Sequence, residues 1–99
     1  MAYSIDESII AKSIKHYGAE IQSTVCMEEC AELIQAISKA KRGKFDENNM
    51  TEEIADVLIC VETLKQLYNI SDEYISKSIS YKQKRVKCGL EKFIRKSMR

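Results

Sequence analysis

Four acidic residues define the chemistry open to this chain. Glu29 and Glu32 stand three residues apart, and Glu53 and Asp56 repeat the step. Each pair lies in apolar sequence, Cys30-Ala31-Glu32-Leu33-Ile34 and Ile54-Ala55-Asp56-Val57-Leu58-Ile59-Cys60-Val61. On a helix, residues three apart share a face, so each pair offers two carboxylates to one side. An acid that only solubilises a helix commonly finds a Lys or Arg three or four residues along. Here those positions hold Glu32 and Leu33 after Glu29, Gln35 and Ala36 after Glu32, Asp56 and Val57 after Glu53, and Ile59 and Cys60 after Asp56. Glu28/Glu32 and Glu52/Asp56 even stack like charges at a spacing of four, which by itself is destabilising.

Two such helices joined by a short loop pack antiparallel and bring all four carboxylates together. Left alone, the cluster repels itself and raises its own pKa values. A divalent cation resolves the conflict. The donor set is oxygen only, with no His or Cys in the pattern, which points to a hard ion, Mg²⁺ with Mn²⁺ as a substitute, and away from Zn²⁺. A ferritin-like di-iron centre needs Glu-x-x-His pairs, and this chain has none.

The elements that must position these acids read as helices. Among 99 residues there is no Pro and only three Gly, while 31% are charged, a composition that makes the chain all-α. The pattern predicts a first helix from Ser4 or Asp6 to Tyr17, with Ile5, Ile9, Ile10 and Ile14 on one stripe and Gly18 as its stop. His16, at that helix end, reads as a capping or packing residue. A second helix runs from Ala19 to Lys41, with Ile21, Val25, Leu33, Ile34 and Ile37 as core candidates and Gly43 just past its end. After a polar loop from Lys44 to Asn48, Asn49 with Glu52 resembles a capping box that opens a third helix to Tyr68. Glu62 has Lys65 and Gln66 in reach and reads as one half of a surface pair, not a fifth ligand. Ser71 caps a fourth helix carrying Tyr74, Ile75, Ile79 and Val86 on its apolar side. Gly89 interrupts it, leaving Leu90 to Arg99 as a short fifth helix or a frayed end. The expected architecture is therefore a bundle of four to five helices around an antiparallel central pair.

Ninety-nine residues make one domain, 1–99, whose small core favours assembly into a homo-oligomer, a dimer or tetramer. The formal net charge of +1 hides an asymmetry. From Lys77 onward nine basic residues and one acidic give +8, and the preceding 76 residues, with seven basic and fourteen acidic, give −7. An acidic centre adjoined by a basic segment suits a metal site that meets an anionic ligand. Cys26, Cys30, Cys60 and Cys88 fall within helical patterns without a zinc-type partner set and read as reduced packing thiols. Met1 to Glu7 lacks the basic residues and apolar run of a secretory signal, and no segment approaches the roughly 20 apolar residues of a membrane span. A cytoplasmic protein without membrane association is the expectation.

Glu28-Glu29-x-x-Glu32, twenty residues, then Glu53-x-x-Asp56 resembles the EExxE…ExxD signature of the MazG-like all-α nucleoside triphosphate pyrophosphohydrolases. That group also includes dimeric dUTPases and phosphoribosyl-ATP pyrophosphatases. Met27-Glu28-Glu29-Cys30-Ala31-Glu32-Leu33-Ile34, Glu52-Glu53-Ile54-Ala55-Asp56-Val57-Leu58, His16-Tyr17-Gly18 and Gln22 are similar to it too, so the resemblance covers about residues 10 to 90. It implies a helical oligomer that hydrolyses a (deoxy)nucleoside triphosphate between its α- and β-phosphates, giving nucleoside monophosphate and pyrophosphate, as nucleotide-pool cleaning requires. Carried over by motif position, Glu29, Glu32, Glu53 and Asp56 bind Mg²⁺, and Glu28 orients or deprotonates the attacking water. Lys82 and Arg85 on the last long helix are the favoured phosphate-binding residues, with Lys39 and Arg42 as further candidates. Tyr17 and Gln22 are candidates for stacking on and hydrogen-bonding a base. The competing reading is a non-catalytic helical interaction module that binds nucleotide or nucleic acid through the basic C-terminal segment. It lacks interleaved aromatics and any recognition-helix motif, which makes nucleic acid the weaker partner.

Overall fold

Helix boundaries in this chain follow from its short polar residues and its glycines. The computed structural model describes residues 2–98, as four α-helices: α1 (Glu7–Tyr17), α2 (Ala19–Lys41), α3 (Glu47–Leu67) and α4 (Asp72–Ser97). The carboxylate of Asp6 opens α1 by accepting from the backbone N–H of Ser8 at 3.0 Å and of Ile9 at 3.4 Å. Gly18 closes α1 and opens α2 at φ +89°, a conformation in which any side chain is strained. At the end of α2 the N–H of Gly43 donates to Ala40 O at 3.1 Å and that of Lys44 to Lys39 O at 2.9 Å. That is the Schellman pattern, with Gly43 at φ +78° supplying the left-handed residue it needs.

The start of α3 differs from the capping box expected at Asn49 and Glu52. Asp46 is the cap: its carboxylate accepts from the Asn49 N–H at 3.1 Å, and the helix begins at Glu47. Both positions carry a capping residue type, and the side chain that reaches the free N–H groups first in the chain ends the loop. Ser71 caps α4 as expected, accepting from the Tyr74 N–H at 3.2 Å. The expected break at Gly89 does not occur, since α4 runs through it to Ser97 and no fifth helix is present among the described residues. Glycine weakens a helix by about 1 kcal/mol but keeps its N–H, so long helix-forming flanks override it.

The chain divides into two compact units, Met1–Asn69 and Ile70–Arg99. In the first, α2 and α3 form a central antiparallel pair. The residues of α2 that are buried or half-buried include Gln22, Cys26, Glu29, Leu33, Ala36 and Ala40. On α3 the matching series is Asn49, Glu53, Asp56, Cys60, Thr63 and Leu67. Both alternate steps of four and three, the pattern of a seam between two packed helices. Gln66 Nε2 donates to Glu7 O at 3.0 Å, tying the start of α1 to the end of α3. Beside it Lys65 Nζ pairs with Glu62 Oε1 at 2.8 Å, with side chains only 15% and 19% exposed. Glu62 is therefore paired as expected, though more sheltered than a surface pair.

Among the described residues of this unit the buried positions are Ile10, Cys26, Ala36, Cys60 and Thr63, mostly small side chains that let the helices approach closely. Several expected core residues lie elsewhere: Ile9 is 60% exposed, Ile21 54%, Ile34 67% and Ile37 46%. Apolar residues surround α2 on several sides, and the stripe that faces α3 is only one of them. The second unit is α4, none of whose described side chains is buried.

Asp46→Ala should lower the unfolding free energy by about 1 kcal/mol through loss of the cap, and Asn49→Ala by clearly less. Urea titrations of the two variants followed by far-UV circular dichroism compare them directly, and a larger loss for Asn49→Ala would contradict the assignment.

Candidate functional site

The seam between α2 and α3 has acids where core residues would ordinarily stand. Glu29 occupies the step between Cys26 and Leu33, and Glu53 and Asp56 occupy two successive steps before Cys60. Each step forward on α2 meets a step back on α3: Cys26 Sγ donates to Cys60 O at 3.8 Å, Asp56 acts electrostatically on Glu29, and Glu32 on Glu53. One carboxylate oxygen from each of Glu29, Glu32, Glu53 and Asp56 can be chosen so that all four lie within 4.8 Å of one another. Glu29, Glu53 and Asp56 are half-buried and Glu32 is exposed, so the cluster is rooted in the interface and opens to solvent on the Glu32 side.

Such an arrangement is electrostatically unsatisfied. Glu29 Oε2 and Glu53 Oε2 are both buried and have no hydrogen-bond partner. Burial, then the negative charges of Asp56 and Glu32, pushes the Glu29 carboxyl up from 4.5 to about 7. Burial, then Glu32 and Asp56, raises that of Glu53 as well. No cation side chain is placed at three or four residues on either helix to relieve this.

The donor set fits a hard divalent cation. Opposite ligands of an octahedral Mg²⁺ site lie about 4 Å apart, so oxygens already within 4.8 Å of one another need only a small closure. The two unpartnered buried oxygens are acceptors of the kind such an ion satisfies. Beneath the acids, burial and the adjacent Cys26 push the Cys60 thiol up to about 12. Cys60 therefore remains a neutral packing group and offers no thiolate to a softer metal. Cys26 is buried with it, whereas Cys30 and Cys88 are exposed. The thiol layer under the site was visible in the sequence only as two cysteines with helical spacing to the acids.

The remaining candidate residues are distributed as follows. Glu28 is exposed on α2 and lies outside the group of four. Lys39 is exposed in the last turn of α2, seven residues beyond Glu32 and thus on the same side about 10 Å further along. Arg42 is the C-cap of α2, its N–H donating to Ser38 O at 3.2 Å and Lys39 O at 3.1 Å. Gln22 is half-buried in the first turn of α2, one full seam repeat before Glu29. Tyr17 is 54% exposed at the end of α1, with the His16 ring edge-on to it at 4.6 Å. Lys82 and Arg85 belong to the second unit, exposed and three apart on α4, and the Arg85 guanidinium lies 5.8 Å from the Tyr81 ring centre.

Compared with known families, residues 19–88 match the model of the MazG nucleotide pyrophosphohydrolase domain, a stretch that takes in α2, α3 and most of α4. No curated protein and no solved structure matches the chain.

Because the folded chain holds the Glu29 proton more tightly than the unfolded chain does, the metal-free fold loses stability as pH rises from 4.5 through about 7. The melting temperature of EDTA-treated protein should fall between about pH 5 and about pH 8, and Glu29→Gln should flatten that fall. Added Mg²⁺ or Mn²⁺ should raise the melting temperature most at the upper end, above about pH 7, where Glu29 has lost its proton. A metal-free profile that rises with pH over this window would contradict the clustering.

Proposed function

This chain belongs to the MazG nucleotide pyrophosphohydrolase family, and from that premise we propose that it hydrolyses a (deoxy)nucleoside triphosphate between the α- and β-phosphates. The products are a nucleoside monophosphate and pyrophosphate, the reaction of an enzyme that clears nucleotides from a pool. The observation that carries this reading is the four-carboxylate cluster with two buried, unpartnered oxygens.

In this reading Glu29, Glu32, Glu53 and Asp56 hold Mg²⁺, or Mn²⁺ in its place. When bound, the cation offsets the charge of the triphosphate and makes water a better nucleophile. Glu28, the exposed neighbour of Glu29, accepts a hydrogen bond from the attacking water and takes up its proton. Phosphate oxygens left over are met by cationic side chains. Lys82 and Arg85 are favoured because a Lys and an Arg three apart present two donors to one side of α4. Lys39 and Arg42 are the candidates on the first unit.

The order of residues along α2 supports the same substrate class. Gln22 precedes Glu29 by seven residues and Lys39 follows Glu32 by seven, each about 10 Å away along the helix. A nucleotide with its phosphates over the acids and its base toward Gln22 would lie along α2, with Tyr17 the candidate ring to stack on that base. The proposal extends to the assembly: chain 1–99 acts as one catalytic domain within a homodimer or homotetramer in the cytoplasm. The sparse core of the protomer supports that oligomer. No helix among the described residues is long and apolar enough to cross a membrane.

Pyrophosphate release from a panel of common and modified nucleoside triphosphates, with Mg²⁺ and with EDTA, tests the reaction. Release should require the metal, and Glu32→Gln and Asp56→Asn should each reduce it by at least about a hundredfold with the helical circular dichroism intact. Glu28→Gln should lower kcat while leaving metal binding in place. Undiminished turnover by folded Glu32→Gln and Asp56→Asn proteins would overturn the metal assignment.

A further inference from the structure

Helix α4 sorts its side chains into two opposite stripes. Ile75, Ile79, Val86, Leu90 and Phe93, at steps of four, seven, four and three, run along one side. Lys77, Tyr81, Lys84, Cys88, Lys92 and Arg95, at steps of four and three, run along the other. From Lys77 to Lys96 the helix carries eight basic residues and one acid, Glu91. Lys77 pairs with Glu73 at 3.3 Å, both side chains well exposed. Among the described residues Lys84, Lys92 and Arg95 form no ion pair. The second stripe also holds a hollow of about 440 Å³, lined by Tyr81, Lys84, Arg85, Cys88, Gly89 and Lys92. The Tyr81 side of it is 65% exposed, and the Arg85 guanidinium lies 5.8 Å from the ring centre.

We infer that this stripe binds single-stranded nucleic acid, its phosphates on Lys84, Lys92 and Arg95 and an unpaired base on the Tyr81 ring. Of the two α4 cations assigned above to the triphosphate, Lys82 lies outside the stripe and Arg85 at its edge, so the surface is additional to the hydrolytic site. Two observations choose the occupant. The first is the spread of the charge. Lys84 and Arg95 stand about 16 Å apart along the helix, too far for one phosphate group to meet both and suited to a chain of phosphates.

The second observation is the exposed ring among those cations. Read in linear order the segment lacks aromatics interleaved with its charges, but folded as a helix it places Tyr81 one turn from Lys84 and Arg85. A duplex offers phosphates yet keeps its base faces stacked on one another, so the ring finds a partner only in a single strand. An anionic lipid surface fits less well. A helix lying in such a surface sinks its apolar stripe between the headgroups, and the cations of this stripe point the opposite way.

Fluorescence anisotropy of a short labelled oligothymidine, titrated with the full chain in EDTA at several salt concentrations, tests this. Binding should weaken with salt, log K falling against log salt with a slope of about −2 for three phosphate contacts. Lys84→Gln/Lys92→Gln should weaken binding at low salt at least about tenfold and reduce the slope to about −0.7. Tyr81→Leu should also weaken binding about tenfold but leave the slope unchanged, because stacking releases no counterion. The Lys84→Gln/Lys92→Gln protein should keep its helical circular dichroism and the pyrophosphate release of the parent, which is measured separately with Mg²⁺. No binding of the oligonucleotide by the folded parent at low salt would overturn the inference. So would tighter binding of the corresponding duplex, indifference to Tyr81→Leu, or binding of anionic phospholipid vesicles in place of the strand.

Discussion

Repulsion among four carboxylates at the α2–α3 seam constrains the rest of this molecule. A residue at such a position ordinarily packs a hydrocarbon side chain against its neighbours, but Glu29, Glu53 and Asp56 put ionisable oxygens there and Glu32 adds another at the rim. Two of those oxygens are removed from water without a hydrogen bond, an arrangement disfavoured unless something positive is supplied. The chain answers part of the strain by holding a proton, which is what a Glu29 carboxyl raised to about 7 means. A divalent cation answers all of it, since one ion can satisfy several oxygens at once. The feature that weakens the metal-free seam is thus the one that gives it an oxygen donor set fit for a hard divalent ion.

The packing around the cluster is consistent with that demand. Cys26 and Cys60 below it, with Ala36 and Thr63 further along, are small, so the two backbones lie close and the acids converge. Larger residues at these steps would spread the helices and separate the carboxylates. The same choice leaves the seam with little apolar area to bury. Much of the aliphatic surface is turned outward, including Ile21 and Ile34 on α2 and Ile54 and Ile59 on α3. For a chain of this length, hydrophobic burial within one protomer is a weak source of stability, and association of copies and binding of metal are the two available supplements.

Where expectation and structure part, the cause is competition between residues of similar local preference. Asp46 and Asn49 are both good caps, and only the path of the chain between α2 and α3 decides which carboxyl or amide reaches the free N–H groups. Gly89 is a plausible helix stop by type, yet a stop also needs the chain to turn away, and here the backbone continues through it. Ile9, Ile21, Ile34 and Ile37 satisfy a helical spacing, but on a helix with apolar residues on several sides that spacing does not say which stripe meets a neighbour.

The sequence by itself determined the helices, their approximate ends at Gly18, Gly43 and Ser71, and the identity of the four acids. Those properties are local: a three-residue step places two carboxylates on one face whatever the helix packs against, and the absence of a nearby cation can be read from neighbours in the chain. Only the tertiary structure decided that Glu29 faces Asp56 and Glu32 faces Glu53, and that Cys26 and Cys60 form the layer beneath them. These depend on the register between α2 and α3. A shift of one helical turn would keep every local preference and separate the acids, so the register is chosen by which pairing of whole seams packs best.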